Sequence, residues 1–178
     1  MGRFVAKKGF DVFLKSLAIL KEKNVKFHAV IGGNGEEEDN LRKLSSRLEL
    51  TQDVKFAGWI NDKTAFFKDI DIFCVPSISE PFGIILLEAM AHSKIIIASN
   101  IEGPAEILTH MSTGVLTKAG DEKQLAMHIE NIIQNPKIVN NITRKAFSEL
   151  NNKYKIQNVA ENIVNNLKLI KQRQHELS

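Results

Sequence analysis

Two glutamates eight residues apart are the side chains in this sequence best suited to chemistry. Glu80 and Glu88 lie in the segment PSISEPFGIILLEAMA, residues 76–91. Glu88 is the only polar side chain from Ile84 to Ala91, and a helix that is apolar all round is normally buried. Burying an ionised carboxylate costs several kcal/mol unless it is paired or hydrogen-bonded. We therefore expect Glu88 to meet a partner, and a ligand that bears hydroxyl groups would serve.

The residues around these glutamates favour a ligand site. The apolar run at 71–75 predicts a strand, which Pro76 ends because proline donates no ladder hydrogen bond. Gly83 then opens a helix, so Glu80 lies between a strand's carboxyl end and a helix's amino end. Ligands of open α/β sheets bind in such crevices, and helix amino ends attract anions. In the alternative interpretation, Glu80 caps the helix and Glu88 forms an internal salt bridge.

Composition limits the class of protein. A chain of 178 residues with 43% hydrophobic residues can form one domain with a proper core. The net charge of +3 is too small to indicate nucleic acid as a partner. The single cysteine, Cys74, lies in an apolar run and is expected to be a core residue. With no disulfide framework, signal peptide or transmembrane run evident, we expect a cytoplasmic protein.

Hydrophobic periodicity predicts alternating helices and strands. Helices are predicted over 9–21, 36–48, 62–68, 83–91, 104–108 and 121–134. Strands are predicted over 26–31, 54–57, 71–75, 95–98 and 113–116. Asp121 is placed to cap the last of these helices, with Gln124 in the capping-box position. The alternation indicates an α/β fold, a Rossmann-like parallel sheet with helices on both faces.

The pattern becomes entirely helical after Pro136, which divides the chain into a domain at 1–136 and carboxyl-terminal helices at 137–178. Apolar residues at 156, 159, 163, 167 and 170 predict an amphipathic helix with a basic polar face. We expect this helix to pack on its own domain. Docking to a partner domain is the alternative, and contact with an anionic membrane surface is a minor one.

The phrase around the two glutamates closely resembles the donor-site signature of family 4 glycosyltransferases, which are retaining enzymes of the GT-B fold. Other pieces match in order: Gly2-Arg3, Lys8-Gly9-Phe10-Asp11, Gly32-x-x-Gly35, Val54 to Gly58, Gly103-Pro104-x-Glu106 and Gly114 to Leu116. The resemblance covers residues 2–136. It implies the carboxyl-terminal, donor-binding half of a GT-B enzyme, the half that binds a nucleotide-diphosphate sugar.

The resemblance also implies roles for individual residues. Glu80 contacts the donor sugar, Glu88 accepts hydrogen bonds from the ribose hydroxyls, and Arg3 and Lys8 stabilise the diphosphate leaving group. The remaining implied donor-binding residues are Gly33, Trp59, Ile60, Phe82, Gly83 and Ile84, of which Trp59 and Ile60 border the base. On residue chemistry alone, Arg3 and Lys8 could be surface charges, and Trp59 could be a packing aromatic.

Two loops compete for the phosphates. Gly32 to Gly35 follows a strand, but it is not G-x-G-x-x-G, and four carboxylates at 36–39 would repel a pyrophosphate. We interpret it as a tight turn close to the ligand. The amino end of the Gly83 helix, with Arg3 and Lys8, is the better candidate because oriented N–H groups and cations stabilise developing negative charge without a metal.

Metal and nucleophile signatures are not evident. Asp69-x-Asp71 resembles a metal-binding motif of another transferase fold, but it begins an apolar strand. The five histidines lack metal-ligand spacing, and there is no G-x-S-x-G segment. We expect a site without a metal or a cofactor, whose donor is a substrate.

The sequence departs from the resembled pattern in its turns and its extent. Ser93 stands where a glycine is usual, and His110-Met111 replace an acidic residue and a glycine. The sequence begins at the Gly-Arg that follows the first strand of such domains, and that strand is central in doubly wound sheets. We therefore expect a gap or reorganisation in the sheet, marginal stability, and dependence on an amino-terminal GT-B domain.

Three functional hypotheses follow from the resemblance. The first is the donor domain of a retaining glycosyltransferase that acts on a glycan or glycolipid acceptor in polysaccharide assembly. The second is a non-catalytic nucleotide-sugar-binding module, or a truncated remnant that works with a separate amino-terminal domain. The third is another GT-B enzyme, such as a sugar-nucleotide epimerase, against which the Glu80–Glu88 spacing argues.

Overall fold

The computed structural model of the chain describes residues 1–154, in which helices and parallel strands alternate. The helices are α1 (Phe10–Glu22), α2 (Glu38–Arg47), α3 (Lys63–Lys68), α4 (Ile84–Ala91), α5 (Glu102–Ile107), α6 (Glu122–Gln134) and α7 (Pro136–Lys153). The strands are β1 (Ala29–Gly32), β2 (Val54–Gly58), β3 (Ile72–Val75), β4 (Ile95–Ser99) and β5 (Val115–Thr117). A short 3₁₀ turn at Ala6–Lys8 precedes α1.

The strands form two parallel sheets. β1 pairs with β2 in one sheet, and the second sheet has the order β3-β4-β5. Within residues 1–154, β1 and β3 each pair with another strand through one edge only. The α/β fold with parallel strands is confirmed, and within residues 1–154 no ladder hydrogen bonds join β1 to β3.

Apolar side chains from both sheets meet in two cores, one on each face. All five residues of β4 are buried, as expected of a central strand covered by helices on both faces. The first core joins α1, β1 and β2 to α6 and β4 through residues such as Leu14, Leu17, Ile31, Ile97 and Ile129. The second core joins α4, β3 and α7 through residues such as Phe67, Phe73, Leu86, Met90 and Ala146.

The last described helix, α7, packs on the rest of the chain. Ala146 is fully buried in the second core, with Leu150 beside it, while Ile142 is buried in the first. The amphipathic helix expected between residues 156 and 170 lies outside the described residues. Among residues 1–154, no helix is both long and apolar enough to cross a lipid bilayer.

The predicted capping box at the start of α6 is only half formed. Asp121 accepts a hydrogen bond from the Gln124 N–H at 2.9 Å, as expected. The Gln124 side chain, however, accepts from the Thr117 hydroxyl and the Lys118 N–H instead of reaching back to Asp121. The prediction for Gln124 was wrong because the end of β5 lies close enough to compete for its amide oxygen.

The end of α4 shows how the chain tolerates Ser93 in place of glycine. Ser93 has a φ of 52°, in the left-handed region. The Ser93 N–H donates to Met90 O and the Lys94 N–H donates to Ala89 O, each at 3.0 Å. These two bonds form a Schellman motif, whose left-handed position is usually glycine because a Cβ is strained there.

We expect Ser93→Gly to raise the free energy of unfolding by up to about 1 kcal/mol, because it removes the strain of a Cβ at positive φ. Urea unfolding followed by circular dichroism measures the change. Ser93→Ala is the matched control, since it keeps the Cβ and should give no gain. An equal gain in both variants would show that the hydroxyl, and not the backbone, carries the effect.

The sheet edges that are unpaired within residues 1–154 should make the chain marginally stable. We expect a free energy of unfolding near the bottom of the usual range, about 5 kcal/mol or less. The reason is that β1 and β3 each form ladder hydrogen bonds through only one edge within residues 1–154. The midpoint of thermal or urea unfolding is the measurement. A single cooperative transition with a high midpoint would contradict this expectation.

Candidate functional site

A cavity of about 460 Å³ lies where β1 and β3 end. Gly32 and Gly33 line it after β1, and Val75 to Ser77 line it at the end of β3. Every site residue predicted from the sequence lines this cavity except Glu88: Arg3, Lys8, Gly33, Trp59, Ile60, Glu80, Phe82, Gly83 and Ile84. The fold therefore brings together residues from five separate stretches of the chain, at the sheet edge where open α/β folds bind ligands.

Lys8 and Glu80 form an ion pair in the cavity wall, through Lys8 Nζ and Glu80 Oε2. The Glu80 side chain is only 13% exposed, and that of Lys8 is 27% exposed. α4 has no side-chain cap, so the hypothesis that Glu80 caps this helix is wrong. The 72-residue separation of the pair explains why sequence spacing alone could not match the two side chains.

Backbone contacts fix Lys8 in this position. The Ile78 N–H donates to Lys7 O at 2.8 Å, joining the 3₁₀ turn to the loop that carries Glu80. Gly9 ends the turn with a φ of 66°, and a Cβ placed there would lie 2.0 Å from Pro76 O. Only glycine permits both this φ and this close approach, so Gly9 sets how near Lys8 comes to Glu80.

Glu88 forms its own ion pair beside the cavity. Lys63 Nζ lies 2.7 and 3.0 Å from the two carboxylate oxygens of Glu88. Asp62 caps α3 by accepting the Ala65 N–H at 2.9 Å, which makes Lys63 the first residue of that helix. Lys63 itself lines the cavity, so it stands between the cavity and the Glu88 carboxylate.

The expectation that α4 is buried all round was wrong. Ile84 is 65% exposed, and the Glu88 side chain is 32% exposed. Leu86, Ala89 and Met90 alone are buried, because only one face of α4 packs on the second core. The opposite face borders the cavity, where solvent reaches it.

Large apolar side chains form the rim of the cavity. Trp59, Phe82 and Ile84 are 60%, 78% and 65% exposed and all three line the cavity. Soluble domains seldom expose aromatic side chains together without a binding role. The Trp59 ring is therefore not part of a core within residues 1–154, and a flat apolar ligand group could cover it.

The Gly32 to Gly35 segment is a packed turn. The Gly33 N–H donates to Gly58 O at 2.6 Å, so it is already engaged. A Cβ on Gly33 would lie 1.8 Å from Gly2 O, so the turn presses against the start of the chain. This geometry agrees with the interpretation of the segment as a tight turn beside the ligand space. The first turn of α4, in contrast, leaves N–H groups with no intrahelical partner.

The charges of the cavity wall leave a positive excess. The Lys8–Glu80 and Lys63–Glu88 pairs each sum to zero. Arg3 also lines the cavity, and none of the ion pairs seen among residues 1–154 involves it. A cation that lines the same cavity as the amino end of α4 adds to a potential that attracts anions.

Lys63 and Cys74 are among the cavity residues that were not predicted as site residues. Lys63 was missed because its partner is 25 residues away, although the Asp62 cap could have signalled its position. Cys74 was predicted as a core residue, and burial raises the pKa of its thiol to about 12. The thiol is therefore unsuited to act as a nucleophile near neutral pH. Among residues 1–154, no group of three or more acidic, histidine or cysteine side chains could hold a metal.

Comparison with known proteins gives this cavity a context. Residues 1–149 match the model of the protein family described as Glycosyl transferases group 1. The chain is 35% identical over 133 residues to the lipopolysaccharide core biosynthesis glycosyltransferase LpsE of Rhizobium meliloti, covering 75% of this chain and 38% of that protein. It is also similar to the crystal structure of Anabaena HepE in complex with UDP. That similarity has a TM-score of 0.84 at 26% identity, covering 94% of this chain and 48% of HepE.

A third similarity is to the crystal structure of a single domain. The crystal structure of the C-terminal domain of a glycosyl transferase group 1 family protein, LpcC of Francisella tularensis, superimposes with a TM-score of 0.79 at 26% identity. The match covers 88% of this chain and 84% of that domain. The chain thus spans less than half of LpsE and HepE but most of an isolated C-terminal domain.

We expect Gly9→Ala to destabilise the protein by more than 2 kcal/mol, since it combines strain at positive φ with overlap against Pro76 O. Gly120→Ala is the matched control: Gly120 has a φ of 73° and nothing lies within 4 Å of the added Cβ. The control should cost only about 1 kcal/mol. Urea midpoints of both variants measure the difference, and equal losses would show that the close approach to Pro76 is unimportant.

Proposed function

Because the chain belongs to the glycosyl transferases group 1 family, we propose that its cavity binds a nucleotide-diphosphate sugar as the donor of a glycosyl transfer. The single observation that carries this proposal is the convergence of Arg3, Lys8, Glu80 and the start of α4 on one cavity, with Lys63–Glu88 at its side. The complex of HepE with UDP, in a fold that superimposes on this chain, supports the same assignment.

The diphosphate is proposed to lie against the amino end of α4. Free N–H groups of the first turn would donate to phosphate oxygens, and the helix dipole favours negative charge there. Arg3 and Lys8 would add positive charge on the other side of the same space. Negative charge grows on the diphosphate as the sugar bond breaks, and fixed donors lower the barrier because they need no reorganisation at that moment.

The two glutamates are proposed to hold the hydroxyl-bearing parts of the donor. Glu88 would accept hydrogen bonds from the ribose hydroxyls, once Lys63 moves aside or shares the carboxylate. The exposed Lys63–Glu88 pair is worth about 1 kcal/mol or less, so a ligand can displace it at small cost. Glu80, fixed by Lys8, would contact the sugar and keep its orientation toward the acceptor.

The apolar rim is proposed to cover the base. Trp59 and Ile60 lie on the β2 side of the cavity, and the exposed Trp59 ring offers a surface on which a planar base can stack. Phe82 and Ile84 line the opposite side, next to Gly83. Stacking tolerates any base, so the choice among bases would depend on polar contacts.

The proposed reaction is retaining transfer to a hydroxyl of a glycan or glycolipid, completed with an amino-terminal GT-B domain that carries the acceptor. LpsE is named for lipopolysaccharide core biosynthesis, which supports polysaccharide assembly as the setting. The second candidate is a module that binds the donor without turnover. It is favoured because the proposed donor-binding residues all lie in a fold that superimposes on a single C-terminal domain.

Calorimetric titration with UDP, GDP and ADP, and with their common sugar conjugates, tests the proposed site. We expect one nucleotide to bind. We expect Glu88→Ala to weaken it roughly ten- to hundred-fold, since a hydrogen bond to a charged group contributes about 1.5–3 kcal/mol. Glu130→Ala is the matched control, because Glu130 forms a similar ion pair with Lys23 at 2.6 Å and does not line the cavity.

The controls also separate the hypotheses. Equal losses in the two variants would mean that Glu88 acts through general stability. No binding by a chain shown by circular dichroism to be folded would overturn the proposed site. Product analysis with an acceptor then distinguishes a transferase from a donor-binding module and from an epimerase.

A further inference from the structure

Helix α5 packs directly behind the loop at residues 80–83, which carries Glu80 and leads into α4. Gly103 lies in the first turn of α5 and is buried. A Cβ added to Gly103 would lie 2.1 Å from Glu80 O and 2.9 Å from Pro81 O, well inside ordinary van der Waals contact. The backbone of Gly103 is helical, so glycine is needed there for the close approach of two backbones and not for its φ angle.

The other end of α5 touches the other end of the same loop. A Cβ built on Gly83 would lie 3.3 Å from Ile107 Cδ1, and Ile107 is buried in the second core. Helix α5 therefore supports the loop with a bare backbone surface at Gly103 and with an apolar side chain at Ile107. Because protein interiors are close-packed, a change at either support must be taken up by the loop or by the helix.

The 80–83 loop has few other backbone attachments, whereas α5 is tied to the sheet. The Ile78 N–H donates to Lys7 O at 2.8 Å, just before the loop. Within residues 1–154, no backbone hydrogen bond is seen for residues 80–82. The Asn100 N–H, in contrast, donates to Thr117 O at 2.6 Å, which fixes the entry to α5 against the end of β5. The loop is thus the part that yields if α5 and the loop are forced apart.

We propose that Gly103 is a positioning residue for the donor sugar. Because position 103 has no side chain, the Glu80–Pro81 peptide rests on α5, and this contact fixes where the Glu80 carboxylate enters the cavity. The inference rests on the proposed function, in which Glu80 contacts the sugar. Lys8 holds the carboxylate of Glu80 and Gly103 locates its backbone, so two separate contacts define one position.

The proposed role predicts an effect on one part of the donor only. The Leu86 and Met90 side chains anchor α4 in the second core, so the diphosphate side of the cavity keeps its place when the loop shifts. A displaced Glu80 carboxylate would instead lose its hydrogen bond to the sugar. A sugar conjugate should therefore sense a side chain at position 103, while the free nucleotide diphosphate should not.

The test compares Gly103→Ala with Gly114→Ala in the 178-residue chain. A Cβ on Gly114 would also be crowded, at 3.0 Å from Leu108 Cδ1, but Gly114 does not line the cavity. UDP, GDP and ADP and their common sugar conjugates are titrated calorimetrically. We expect Gly103→Ala to weaken the conjugate roughly tenfold relative to its free nucleotide, the effect of one hydrogen bond to a charged group. The control should leave this ratio unchanged, and equal weakening of both ligands by Gly103→Ala would overturn the proposal.

A double-mutant cycle shows whether Gly103 acts through Glu80. In a Glu80→Ala background, Gly103→Ala should change the ratio of the two affinities no further, because the carboxylate that it displaces is already absent. Additive changes in the ratio would mean that Gly103 acts by another route, and they would also overturn the proposal.

Hydrogen exchange of the Ile78 N–H, followed by NMR, tests the loop without any ligand. We expect this amide to exchange roughly tenfold faster in Gly103→Ala than in Gly114→Ala, because the displaced loop strains its bond to Lys7 O. Equal exchange in the two variants would overturn the inference even where a nucleotide binds. Absence of nucleotide binding by the folded unsubstituted chain would instead overturn the proposed function, and the sugar-positioning role with it.

A milder variant keeps the test decisive if Gly103→Ala does not fold. Ile107→Val removes the Cδ1 atom that lies nearest to Gly83 and keeps a β-branched apolar side chain. We expect the same direction of change in the ratio of conjugate to nucleotide affinity, because one of the two supports of the loop is shortened. An unchanged ratio in this variant would count against α5 as the element that positions Glu80.

Discussion

Packing of α1 against α6 is the interaction on which the rest of this structure depends. The two sheets share no ladder hydrogen bonds within residues 1–154, so side chains must hold them together. Leu14 and Leu17 of α1 lie in the same core as Ile129 of α6 and Ile95 and Ile97 of β4. Hydrophobic packing is non-directional, and it can therefore join two sheets whose directional backbone bonds are incomplete.

The shape of the candidate site depends on how the two sheets are placed relative to each other. Its walls come from both sheets, because Gly33 follows β1 and Glu80 follows β3. The contact between Lys7 O and the Ile78 N–H crosses the same boundary. Any change in the spacing of the sheets would thus alter the distance between Lys8 and Glu80. A second cavity, of about 790 Å³ between β1 and β3, shares Met1, Phe10, Cys74 and Pro76 with the site.

The site has two carboxylates, each held by an ion pair with a lysine and each still able to bind a ligand. Glu80 is the more buried, and its pairing with Lys8 offsets the cost of desolvation. Glu88 is more exposed, and its pairing with Lys63 is correspondingly weak. A ligand can therefore compete for Glu88 more easily than for Glu80. This difference suits a site in which one carboxylate keeps its position and the other exchanges partners.

The sequence by itself determined the class of fold and several of the residues in the cavity wall. Strand and helix periodicities are local, and strand ends with helix starts mark the ligand edge of a parallel sheet. The resemblance around Glu80 and Glu88 added the proposed donor-site residues, and the left-handed turn at Ser93 was visible as a departure from glycine.

Only the tertiary structure decided how these residues are partnered. Lys63 pairs with Glu88, which lies 25 residues away in the sequence. The Gln124 side chain accepts a hydrogen bond from the Lys118 N–H, which lies outside the local helix cap. In both cases a group that the local pattern does not include competes for the polar atom. The exposed face of α4 could not be read from its composition, since burial depends on which elements pack around a helix. The second cavity, which lies between β1 and β3, follows from the relative placement of these two strands, which no local pattern specifies.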